Sequence, residues 1–180
     1  MIRTRVGYCG GTTANPTYYH IGDHAETIQI DFDPAKISYE RLLYIFWTTH
    51  NACRSAWSRQ YMSAIFYSGE TQKKLAFDTA ATKEAKDGKV HTEIVELKSF
   101  NVAEDYHQKY ELRNATDLMQ EFSAIYPNAA DFRESTAAAR VNSWLGHPTE
   151  KVPQSEIARL GFSPEGMKSL LQHITVDQTK

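Results

Sequence analysis

Two short stretches hold most of the side chains in this chain that can do chemistry. The first, RVGYCGGTTANPTYYHIGDHAETIQIDFD from Arg5 to Asp33, carries Cys9 among glycines, then Tyr18, Tyr19, His20, His24 and Glu26. The second, HNACRSAWSRQY from His50 to Tyr61, carries His50, Cys53 and Tyr61. A thiol is a nucleophile only as the thiolate, and a neighbouring cation lowers its pKa, so Cys53 beside Arg54 is a candidate attacking or resolving thiol. Cys9, inside GYCGG, reads as a small buried thiol. The spacings His20-x3-His24 and His50-x2-Cys53 also suit metal ligands, so a zinc site stands as an alternative. Taken alone, Glu26 is an ordinary edge carboxylate, and Tyr18 and Tyr61 are amphipathic rings at the margin of a core.

The elements that must position these groups follow from glycine, proline and apolar periodicity. Gly7, Gly10, Gly11 and Pro16 each disfavour a helix interior, so the first stretch opens as a structured loop, entered by a short strand over Ile2–Val6. From Thr27, the apolar Ile28, Ile30 and Phe32 alternate with Gln29, Asp31 and Asp33, the period of a strand with one buried face, and Glu26 stands at its mouth. Ser38 caps a helix carrying Leu42, Leu43, Ile45, Phe46 and Trp47. The aperiodic Asn51–Gln60 is a loop that delivers Tyr61 to a strand over Met62–Tyr67. A solvated helix over Glu70–Lys86 stops at Asp87-Gly88, and Val90–Leu97 alternates again, with Ile94 and Leu97 as core positions. Strand, helix, strand, helix, strand predicts an α/β or α+β two-layer sandwich. A further helix is expected over Ala103–Asn114. Beyond it no alternating pattern remains; helices are expected over Ser135–Leu145 and over Pro164–Ile174 with Ser163 as cap. Residues 1–114 therefore read as one domain and residues 115–180 as a helical extension that docks on the core or on a partner.

At 180 residues, 41% hydrophobic and 23% charged, the composition supports a sizeable core. A net charge of -2 and a pI near 6.4 give no electrostatic footprint for nucleic acid or an anionic membrane. No apolar run approaches the roughly 18 residues of a membrane span, and the first residues lack the apolar segment of a secretion signal. The expected location is the cytoplasm, with two cysteines kept as thiols.

Four ordered blocks carry a family resemblance: VGYCGGTTANPTYYHIGDHAETIQIDFDP, ISYERLLYIFW, RQYMSAIFYSGETQKKLA and AEDYHQKYELRN. Over roughly residues 2 to 114 the chain resembles peptide methionine sulfoxide reductases of the A type. The resemblance implies a mixed sheet with packed helices and thiol-dependent reduction of methionine-S-sulfoxide to methionine in peptides and proteins. It implies that Glu26 supplies the proton, that Tyr18 and Tyr61 hold and polarise the sulfoxide oxygen, and that Gly10 and Gly11 let the backbone approach the substrate. It further implies a monomer without metal or organic cofactor, returned to the thiol form by thioredoxin or another external thiol.

Three departures from the family pattern stand out. HIGD is short where common members carry a longer segment, and HNACRSAWSRQY replaces the usual HDPT with its downstream Asp. The Gly-Cys-Phe-Trp turn that holds the family's nucleophile does not occur in these residues, which leaves Cys9 and Cys53 as the available thiols. The expectation is a domain lacking its first strand and catalytic turn, impaired as written, with an exposed edge or apolar groove beside the Ile28 strand. A transit peptide could have been lost with that segment. The alternative is a catalytically inactive module that binds oxidised methionine or a protein partner.

Overall fold

The computed structural model describes residues 2–177 and is α+β. Its contacts divide it into two compact units, Val6–Glu104 and a second made of Ile2–Arg5 with the chain from Asp105 onward. The boundary thus falls before the last block of the family resemblance is complete.

In chain order the first unit contains β1 (Arg3–Cys9) from Val6 onward, then β2 (Ala25–Asp31), α1 (Tyr39–Thr49), β3 (Ala64–Tyr67), α2 (Gly69–Asp87), β4 (Glu93–Glu96) and β5 (Asn101–Val102). β1 runs three residues past the expected strand end at Val6, so Cys9 lies on a strand and not in the loop. The reason is the short β5, which pairs antiparallel with it at Gly7↔Val102 and Tyr8↔Asn101. Ser38 caps α1 as expected, its hydroxyl accepting from the Arg41 N–H at 3.2 Å. At the far end of α2 the Gly88 N–H donates to the Glu84 carbonyl at 3.0 Å, from the positive φ of 98° that glycine tolerates. α2 carries the chain from β3 to a parallel β4, with Ile65 opposite Ile94. Leu43 and Trp47 of α1, Ala76 of α2, Ile65 and Ala52 form the core between these elements, and the Trp47 indole donates to Thr79 Oγ1 at 3.0 Å.

The single mixed sheet expected from the sequence is divided in two in this unit, ordered β2-β1-β5 and β3-β4. β2 and β3 are end strands, and a cavity of about 590 Å³ is lined by both together with α1. Ile28, Ile30, Leu42, Phe46 and Ile65 line it, so a groove does lie beside the Ile28 strand. The alternation from Ile28 to Phe32 therefore marks a cavity wall more than a buried face, and Ile28 is 58% exposed.

The second unit adds α3 (Tyr110–Asn114), α4 (Thr116–Ile125), α5 (Ala129–Glu134), α6 (Thr136–Gly146), β6 (Lys151–Pro153), α7 (Gln154–Ile157), α8 (Pro164–His173) and β7 (Thr175–Asp177). The helix expected over Ala103–Asn114 is broken: a single 3₁₀ turn, Asp105–His107, precedes Lys109 in the left-handed region at φ 56°. That conformation turns the Lys109 side chain inward, where its Nζ donates to the carbonyls of Thr4 at 2.6 Å and Arg133 at 2.9 Å. Burial pushes its pKa down to about 8. Arg5 grips the Glu134 carboxylate with Nε at 2.7 Å and Nη2 at 2.5 Å, and Arg3 adds a contact at 3.2 Å. Ser163 caps α8 as the sequence predicts, and Ser135, expected as the first residue of its helix, instead caps α6. The parallel pair β6 and β7, with Val152 opposite Val176, was not foreseen, because three-residue strands are too short to show an alternating period. Leu112, Leu118, Phe122, Phe132, Val141 and Leu170 form this unit's core, with the Phe122 ring edge-on to Phe132 and Phe162.

Candidate active site

The glycine loop is shaped by its own side chains. At Gly10, φ is +80° and an added Cβ would sit 2.7 Å from the Phe66 ring; at Gly11 it would sit 2.5 Å from the Asp23 carboxylate and 2.7 Å from the His24 ring. The close approach that demands glycine here is made by Phe66, Asp23 and His24, and neither glycine lines the cavity. The Asp23 carboxylate accepts the backbone N–H groups of Thr12, at 2.8 Å, and Thr13, at 2.9 Å, along with both threonine hydroxyls. Those bonds, the Thr13 N–H first among them, hold its pKa well below the usual carboxylate range. His24 is buried; its Nδ1 accepts from the Gly11 N–H at 3.2 Å and its Nε2 donates to the Thr13 carbonyl at 2.9 Å. This assigns the neutral tautomer with the proton on Nε2 and leaves neither nitrogen for a metal. Among the described residues no three His, Cys, Asp or Glu side chains gather in a way that could hold a metal ion.

Arg59 fastens the second chemical stretch to this loop. Its Nε donates to the Asp23 carbonyl at 3.0 Å, one Nη to the Glu93 carboxylate at 2.9 Å and the other to the Gly10 carbonyl at 3.5 Å. The Glu26 N–H donates to the Gln60 carbonyl at 2.9 Å. These ties bring the Tyr61 and Tyr18 hydroxyls to 3.1 Å, where one donates to the other and the acceptor keeps its own O–H to donate elsewhere. Glu104 steadies the Tyr18 side of the pair: its carboxylate accepts the hydroxyl of the fully buried Tyr8 at 2.6 Å and the Tyr18 N–H at 3.1 Å. Glu26 and Tyr61 both line the 590 Å³ cavity. The hydrogen bond with Tyr18 pushes the Tyr61 phenol above its ordinary pKa; desolvation and the charges of Tyr18 and Glu26 act in the same direction. Tyr61 therefore keeps its proton at neutral pH.

The two thiols are placed differently. Cys9 is fully buried in the wall of the same cavity, and burial raises its pKa to about 11, against a smaller lowering by the Thr27 hydroxyl. The Cys53 thiol lies against the carbonyls of Asp87 at 3.6 Å and Gly88 at 3.5 Å, in a second concavity of about 530 Å³ whose wall includes His50, Lys83 and Asp87. The structure thus brings Tyr61, Glu26 and Cys9 to one cavity, with Tyr18 hydrogen-bonded to Tyr61, and it sets Cys53 in a concavity that Glu26 does not line. Sequence reasoning missed Asp23, Arg59 and Glu104. They act through contacts with residues elsewhere in the chain, which no local pattern announces.

A carboxyl, a phenol hydrogen-bonded to a second phenol, and a buried thiol thus meet at a cavity walled by apolar side chains in an α+β protein. The family profile of peptide methionine sulfoxide reductase matches residues 1–140. A peptide methionine sulfoxide reductase of Drosophila melanogaster is 33% identical over 178 residues, covering 97% of this chain and 71% of its own length. The peptide methionine sulfoxide reductase A5 of Oryza sativa is 36% identical over 165 residues, covering 87% of this chain and 64% of its own. The crystal structure of Mxr1 from Saccharomyces cerevisiae in its reduced form superposes with a TM-score of 0.58 at 26% identity, over 62% of this chain and 70% of that one. The chain belongs to the A-type peptide methionine sulfoxide reductase family.

Proposed function

We propose that the cavity takes the side chain of methionine-S-sulfoxide in a peptide or protein and serves its thiol-dependent reduction to methionine. Tyr61 and Tyr18 hold the sulfoxide oxygen through the outward O–H of their pair, and Glu26 supplies a proton to it. The apolar wall of Ile28, Phe46 and Phe66 receives the methyl and methylene groups. The net reaction balances as one sulfoxide and two thiols giving one thioether, one disulfide and water, and the oxygen leaves with the thiols' two protons. A thioredoxin-like or small thiol serves as external reductant, no metal or organic cofactor takes part, and the chain works as a monomer in a reducing cytoplasm. Two observations carry this reading: Glu26 and Tyr61 line one cavity, and the Tyr18 hydroxyl lies 3.1 Å from that of Tyr61.

A second reading, recognition of oxidised methionine without turnover, is favoured by one observation. The thiol in the cavity, Cys9, is held near a pKa of 11, so only about one molecule in ten thousand carries its thiolate at pH 7. The deciding experiment titrates the protein with a peptide containing methionine-S-sulfoxide, its R epimer and the unoxidised peptide, then supplies dithiothreitol and follows methionine formation. The site reading expects binding selective for the S epimer, weakened about tenfold or more by Tyr61→Phe and by Glu26→Gln. Equal binding of all three peptides would refute it. Binding with turnover establishes the reductase, and binding without turnover establishes the recognition module.

A further inference from the structure

Trp57 is 82% exposed, yet it is held in place. Its ring lies 5.1 Å from that of Tyr61, tilted by 34°, and Tyr61 is itself only 44% exposed and bonded through its hydroxyl to Tyr18. The loop is fastened just beyond it, where Arg59 reaches the Asp23 carbonyl and the Glu93 carboxylate and Gln60 accepts the Glu26 N–H. Two residues before it, the Ser55 hydroxyl meets His91 Nδ1 at 3.2 Å. Anchors on both sides of a surface tryptophan fix a large apolar plate facing water, an arrangement that gains from being covered. Fixed aromatic plates of this kind are the side chains that most often dominate recognition, because few rotamers are lost on binding.

We infer that Trp57 is a specificity-determining residue: its ring forms a subsite for an apolar or aromatic side chain next to the oxidised methionine in the substrate peptide. The inference rests on the proposed reading of the Tyr18–Tyr61–Glu26 cavity and adds what that cavity alone does not supply, a preference for sequence around the sulfoxide. Geometry ties the two together. A sulfoxide oxygen held by the Tyr61 hydroxyl leaves the neighbouring peptide residues within reach of Trp57, whose ring lies 5.1 Å from that of Tyr61. An aromatic neighbour can then pack offset or edge-on to the indole, whereas glycine has nothing to offer it.

The test uses two seven-residue peptides that each contain one methionine-S-sulfoxide and differ only in its two neighbours, phenylalanine in one and glycine in the other. Affinities are measured by calorimetry on the full chain and on Trp57→Ala and Trp57→Phe. The chain should bind the phenylalanine-flanked peptide about fivefold more tightly. Trp57→Ala should remove that preference, and Trp57→Phe should retain most of it. The Trp57 indole N–H signal, assigned by its loss in Trp57→Ala, should shift with the phenylalanine-flanked peptide more than with the other. A preference that survives in Trp57→Ala, or equal affinity of the unaltered chain for both peptides, overturns the subsite while leaving the cavity reading in place. Failure of the unaltered chain to bind either peptide overturns the cavity reading and the subsite with it.

Discussion

Gly10→Ala tests how the glycine loop is built. Two separate costs meet at this position. An alanine at φ +80° is strained by about 1–2 kcal/mol because its Cβ crowds the following carbonyl. The same Cβ would also stand 2.7 Å and 2.9 Å from two atoms at the far edge of the Phe66 ring, closer than carbon atoms approach, and overpacking of that kind costs about 1–3 kcal/mol. The single variant should therefore lose about 2–5 kcal/mol in urea denaturation, read from a shifted midpoint at unchanged slope. Phe66→Leu deletes the two ring atoms in question. In that background Gly10→Ala should cost only the backbone part, so the double-mutant cycle should show the two changes compensating by about 1–3 kcal/mol. If the two losses simply add, the ring contact is not what forbids a side chain at this position. A Gly10→Ala loss below about 1 kcal/mol would contradict both parts of the argument.

Two further outcomes can be checked independently. Because burial raises the Cys9 pKa from 9.0 to about 11, its contribution to stability is complete below pH 9 and is lost as pH rises toward 11, where the unfolded chain ionises first. Between pH 8 and pH 11 the unaltered chain should lose ~2 kcal/mol relative to Cys9→Ala, and parallel stability curves for the two would refute the burial argument. Ser163 Oγ accepts the Gly166 N–H at 3.0 Å and donates to the Glu121 carboxylate at 2.7 Å, so Ser163→Ala should destabilise the second unit by ~1–2 kcal/mol, measured by denaturation followed at the helical signal.

Local patterns settled what local energetics control. Ser38 and Ser163 announce helix starts because a cap bonds N–H groups two or three residues ahead, and Gly88 announces a helix end because the left-handed turn it permits needs no distant partner. The blocks around Tyr18, Glu26 and Tyr61 were likewise legible, and they identified the family before any geometry was known. What the sequence left open depends on contacts between residues far apart in the chain. Ile28 alternates like a buried residue, yet β2 is an end strand beside a cavity, and only strand order decides which. Lys109 sits in a run that reads as helix, and the carbonyls of Thr4 and Arg133 draw its side chain inward and break it. Cys53 has a cation beside it in sequence, but the fold lays its sulfur against the end of α2; Cys9, unremarkable in sequence, enters the cavity wall because β5 extends β1 past Val6. Residue types and their local spacing determined which groups could do chemistry. Which of them share one cavity, and in which protonation state, was decided by the tertiary structure, because burial, strand order and hydrogen bonds across tens of residues set both.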